Sequence, residues 1–154
     1  MNPDACIAHT RLNANGVDLN RNMPTKDWTA KAANERYIPG PEPASEIETK
    51  VLTKILDQEK FNAILSFHSY DPMINFNGPS KELAQVIGEK CGYRIADDMG
   101  YPTPGSLGTW AGSEKQIPTI TYEIQRDMDH DASWVLHGPA VMAGLQFIAN
   151  GKLA

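Results

Sequence analysis

The stretch Phe61-Asn62-Ala63-Ile64-Leu65-Ser66-Phe67-His68 decides the fold of this chain. From Phe61 to Phe67 it is short and largely apolar, which suits a buried strand, and a histidine stands at its carboxyl end. Just upstream, Ser45 reads as an N-cap, with Glu46 and Glu48 in the first turn where the helix dipole favours acids. Val51, Leu52, Ile55 and Leu56 recur at helical spacing and predict an amphipathic helix over about 45–58. Downstream, Ser80, Leu83, Val86 and Ile87 predict a second helix over about 80–92, stopped by Gly92. Ile117-Pro118-Thr119-Ile120-Thr121-Tyr122-Glu123-Ile124 reads as a second buried strand, and the tail from about Gly138 to Asn150 as a terminal helix. The first twenty or so residues, Trp28–Pro43 and Tyr101–Gly108 read as loops. Alternating strands and helices argue for an α/β fold with a mixed, largely parallel sheet between helices. In such sheets ligands bind beyond the carboxyl ends of the strands, where His68 and Glu123 stand.

Composition narrows the function classes. A chain of 154 residues makes one domain at most, and 41 % hydrophobic residues suffice for a core. A formal charge of −5 and a pI near 5.3 argue against a nucleic-acid or anionic-membrane partner. No run approaches the ~20 consecutive apolar residues of a membrane span. Met1–Ala5 has neither a basic nor an apolar leader region, so the expectation is a cytoplasmic chain or one whose leader has been removed. Cys6 and Cys91 could form one disulfide, but neither has a redox or zinc spacing, and free thiols are the preferred reading.

Four sets of residues carry chemistry, each with a plainer alternative. His68 suits a metal ligand, since neutral imidazole binds Zn2+, or else a hydrogen-bonded histidine at a strand end. Glu123 lies in an apolar strand, where burial favours a general base; the alternative is an edge-strand glutamate pointing to water. Asp18-Leu19-Asn20-Arg21-Asn22 could clamp a carboxylate through Asn20 and Arg21, or form a loop tied by Asx-type hydrogen bonds. Tyr101, in a Pro/Gly-rich loop, could cover a site and donate a proton, or simply anchor the loop. His9, His130 and His137 read as surface or structural residues.

Taken together, Asn2-Pro3-Asp4, Gly16-Val17-Asp18-Leu19-Asn20-Arg21-Asn22-Met23-Pro24, Ser66-Phe67-His68-Ser69-Tyr70 and Thr121-Tyr122-Glu123 with Arg126-Asp127 resemble the zinc metallocarboxypeptidases of the M14 type. The Tyr101–Trp110 segment resembles most the bacterial branch that cleaves the γ-D-glutamyl–diaminopimelate bond of murein peptides. The resemblance implies that His68 is a zinc ligand and that Arg11 polarises the scissile carbonyl. It implies that Asn20 and Arg21 hold the substrate carboxylate and that Glu123 is the general base. Tyr101 would be the capping tyrosine, Tyr70 a subsite tyrosine, and Gly108 would stand at the side-chain specificity position. The implied substrate is a peptide with a free carboxylate.

One feature of the family is missing. No histidine here is followed at the third position by glutamate: His9, His68, His130 and His137 precede Leu12, Asp71, Ser133 and Ala140. The His-x-x-Glu motif implied for the other two zinc ligands is therefore absent, and the chain reads as a partial catalytic domain over 1–154. The expectation is that the chain alone is inactive and that its exposed sheet edge permits self-association. The rival expectation is a non-catalytic module that binds carboxylate-bearing peptides. A serine hydrolase is not supported, because no Gly-x-Ser-x-Gly elbow is present.

Overall fold

Four strands form the sheet of the computed structural model, which describes residues 2–153. They are β1 (Ile64–Tyr70), β2 (Met73–Asn77), β3 (Arg94–Ala96) and β4 (Thr119–Gln125), in spatial order β1-β4-β2-β3. β1 pairs parallel with β4, β2 parallel with β3, and β2 antiparallel with β4. The sheet is thus mixed, with two of its three pairings parallel, as the α/β expectation required.

The sheet has two chemically distinct faces, because successive side chains in a strand alternate sides. On one, Ile74, Ile120 and Tyr122 are fully buried with Leu83 and Ile87 of α3 (Lys81–Cys91) and Ala140 of α4 (His130–Ala149). The alternate positions are mostly polar: Ser66 and His68 of β1, Asn75 of β2, Thr121 and Glu123 of β4. These strands, α3 and α4 belong to one compact unit, Phe61–Tyr101 with Ala111–Ala154 over its described part.

Met1–Lys60 and Pro102–Trp110 make the second unit, again over its described part. It holds α1 (Pro3–Ala8), a single 3-10 turn at Leu19–Arg21, and α2 (Ile47–Gln58), with long irregular segments between them. Buried polar side chains organise those segments. Asn22, fully buried, donates to the Pro39 and Glu42 carbonyls and to Ser45 Oγ, and its Oδ1 accepts from Glu46 N. Glu46 accepts from Ser45, Asn13 and Asn15 at 2.6, 2.8 and 2.7 Å.

Several boundaries differ from the sequence expectation, each for a physical reason. Residues 3–8 are helical rather than loop, because Asn2 caps Ala5 N and Pro3 sits at the helix start, where its missing N–H is harmless. Ser45 is not the α2 cap; its hydroxyl is engaged by Asn22 and Glu46, and Glu46 takes the cap position without a side-chain bond. β1 starts at Ile64 and runs through His68 to Tyr70, since its pairing with β4 continues to Gln125. β2 and β3 were missed, being only five and three residues long.

α4 begins at His130, capped by Asp129, rather than near Gly138, and runs through Pro139. The carbonyl that Pro139 leaves without its helical donor belongs to Val135, whose residue is exposed to water. α4 is also long and apolar enough, by length and mean composition alone, to cross a membrane, although its His, Asp, Ser and Gln break any continuous apolar run. In this fold Gly144 packs instead against Ile87 and Leu83 of α3.

Candidate functional site

Parallel pairing of β1 with β4 sets the central geometry. His68 and Glu123 are direct register partners, so both project from the polar face as neighbours across one strand spacing, about 4.8 Å. β4 is flanked by β1 and β2, and Glu123 also pairs with Met73. Glu123 is 5 % exposed, which removes the alternative of a water-facing edge glutamate. His68 lies inside β1 rather than beyond it, half-buried, with its Nε2 3.2 Å from Ser66 Oγ.

The residues on either side of Glu123 are fastened to the helical layer. Tyr122 OH lies 2.7 Å from His137 Nδ1, Tyr93 OH lies 3.3 Å from His137 Nε2, and Gln125 N donates to Tyr93 OH. Burial pushes the Tyr122 phenol up, chiefly by desolvation, so it stays protonated. Burial likewise pushes the His137 imidazole down, leaving it neutral, with one nitrogen to donate and one to accept. His137 is therefore structural, as expected; its role as an anchor for β4 was not legible without the fold.

At the carboxyl end of β1, Tyr70 meets Tyr101 edge-on with ring centroids 6.3 Å apart. The Arg126 guanidinium lies over the Tyr70 ring at 5.2 Å. Of the candidates in this unit, His68 is thus brought to Glu123, and Tyr70 to Tyr101.

In the other unit, Arg11 and Arg21 converge on one ring. Their guanidinium carbons lie 4.8 and 4.7 Å from the centroid of Tyr37, a loop residue that carried no sequence signal. Arg11 donates through Nε to Asp18 Oδ2 at 2.9 Å, and its Nη2 lies 2.8 Å from the same oxygen. Asp18 Oδ1 accepts from Asn20 N, an Asx turn that opens the Leu19–Arg21 turn. Arg21 Nη1 donates to the Asn20 carbonyl, and Asn20 Oδ1 accepts from Leu107 N at 2.8 Å. The loop is tied by its own hydrogen bonds, as the plainer alternative held, and the same ties fix both arginines.

Gly105 is required here. With φ at +70° its N–H donates to Thr25 Oγ1 and its carbonyl accepts from Met23 N, and a Cβ would overlap the Arg21 carbonyl. Gly108 begins a π-helical turn, Gly108–Glu114, where the sequence suggested only the end of a loop.

A catalytic zinc needs three protein ligands. Among the described residues, no group of three or more His, Cys, Asp or Glu side chains could hold a metal ion. The donor set present does not fit a three-ligand zinc centre.

A model of the zinc carboxypeptidase family (peptidase family M14) matches residues 2–86, more than half of the chain. The chain belongs to the zinc carboxypeptidase family. Among its relatives, murein peptide amidase A of Vibrio campbellii is 36 % identical over 136 residues, covering 80 % of this chain and 54 % of the relative. The crystal structure of murein-tripeptide amidase from Escherichia coli O157 superposes with a TM-score of 0.78 at 30 % identity, over 93 % of this chain and 65 % of that one. Carboxypeptidase A from Helicoverpa armigera shares the zinc carboxypeptidase fold, with a TM-score of 0.70 at 17 % identity over 97 % of this chain and 49 % of that one. The chain spans little more than half the length of the relatives it matches in sequence.

Proposed function

We propose that this chain forms the carboxylate-recognition and general-base portion of a peptidase domain acting on murein peptides. The observation that carries the reading is the register pairing of His68 with buried Glu123 on the polar sheet face. A buried carboxylate at that position suits a base that takes a proton from the attacking water and passes it to the leaving amine. Arg11 supplies positive charge for the developing oxyanion, while Asn20 and Arg21 hold the peptide's terminal carboxylate. Tyr101, edge-on to Tyr70, closes over bound peptide. Similarity to murein peptide amidases over 80–86 % of this chain supports the substrate class.

A second reading, binding without hydrolysis, is favoured by the donor set, because no three-ligand cluster exists among the described residues. Both readings require a carboxylate clamp. Titration with a murein tripeptide should show binding that C-terminal amidation and Arg21→Ala each weaken about tenfold or more. Unchanged affinity in Arg21→Ala would remove the clamp from either reading. Turnover by a chain to which an upstream His-x-x-Glu segment has been restored, lost in Glu123→Gln, would decide for the peptidase; binding without turnover in that restored chain, for the module.

A further inference from the structure

The function proposed above uses Tyr70 as the neighbour of Tyr101 but leaves Arg126 unused. At the carboxyl ends of β1 and β4, Tyr70, Asp71, Pro72, Gln125 and Arg126 line a cavity of about 370 Å³. Arg126 is exposed, and its guanidinium carbon lies over the Tyr70 ring, 5.2 Å from the centroid. A guanidinium over an aromatic face is held there by cation–π attraction and keeps N–H groups for hydrogen bonds. Among the described residues, no acceptor takes a hydrogen bond from those groups. Tyr70 is itself held on its other contact by Tyr101. Asp127, with φ at +59°, turns the chain directly after Arg126 and ends the reach of β4.

We propose that this cavity is a subsite for a carboxylate of an acidic peptide, other than its C-terminal carboxylate, and that Arg126 is its specificity-determining residue. A planar fork presented on an aromatic face matches a carboxylate in bidentate fashion, which an ammonium would not. Asp71 on the cavity wall opposes the same charge and limits the affinity, so the subsite selects among peptides more than it holds them. A γ-linked glutamyl residue suits it, because that linkage leaves the α-carboxylate free. The inference rests on the reading of the chain as a peptide-binding peptidase domain.

Four versions of acetyl-Ala-γ-Glu-Lys separate the two ideas. The glutamyl α-carboxylate is free or amidated, the C-terminus is free or amidated, and binding to the full 154-residue chain is followed by calorimetry. Amidating the glutamyl carboxylate should weaken binding to the unaltered chain about tenfold, but less than twofold for Arg126→Gln. Arg126→Lys, which keeps charge without the fork, should fall between, and Asp71→Asn should tighten the acid two- to threefold. C-terminal amidation should weaken binding equally in all these variants. A tenfold acid preference retained in Arg126→Gln, with native circular dichroism, would overturn the subsite. Loss of the C-terminal effect alone would overturn the proposed function and leave the subsite standing, whereas no binding of any peptide would overturn both.

Discussion

The two units place chemistry-bearing side chains by opposite means. In the sheet unit, His68 and Glu123 meet because backbone pairing puts them in register, and an apolar layer of α3 and α4 holds that register. In the other unit, Arg11 and Arg21 meet at Tyr37 because buried amides and carboxylates tie irregular chain together. Register needs only a correct sheet, so it tolerates exchanges among core side chains of similar volume. A polar network fails wherever one partner is removed, because the others stay buried and unsatisfied.

Removing a core side chain from the sheet unit should have the largest effect. Ile120 is fully buried in the cluster with Leu83 and Ile87, so Ile120→Ala should lower stability by about 2–5 kcal/mol. Hydrogen exchange should then speed up along β4 and α3, and protected amides there would contradict an apolar origin of the register. Asn22→Ala should cost about 1–3 kcal/mol, through the Pro39 carbonyl and the Glu46 N–H left without partners. The expected sign is faster exchange across the segment around residues 38–46. Equal losses in both units from either substitution would break the comparison.

Legibility from sequence follows the same division. α3 with its Gly92 stop and the strand holding Glu123 were visible, because apolar patterning reports directly on an apolar core. The strand at Ile64–Phe67 was also visible, but it is a sheet edge with no fully buried residue rather than the buried strand its apolar run suggested. His68 and Glu123 could be named as candidates, but their adjacency could not, since nothing local specifies which strands pair. Tyr37 gave no signal: a tyrosine in a Pro/Gly-rich loop looks the same whether or not two arginines stack on it. Asn22 was quoted within a motif, yet its four hydrogen bonds reach residues 17 to 24 positions away. The family motifs exposed what spacing alone could not, including the role proposed for Arg11.

Acid offers a gentler separation of the two units, because each buries one group whose titration differs between folded and unfolded chain. Desolvation pushes His137 below its ordinary 6.5, so the unfolded chain takes up the proton first as pH falls. Its contribution is fully present above 6.5 and is lost as pH drops through the lowered folded value. Burial alone would raise Glu46, but hydrogen bonds from Ser45, Asn13 and Asn15, with Lys50 nearby, outweigh it and hold the carboxyl below 4.5. Its contribution therefore persists above 4.5 and fades only below. Urea unfolding at stepped pH should show stability starting to decline near 6.5, with a second decline beginning near 4.5. His137→Gln should remove the first and keep the second, while Glu46→Gln should do the reverse. A first decline that survives His137→Gln would mean that the Tyr122–His137–Tyr93 anchor is not the group being titrated.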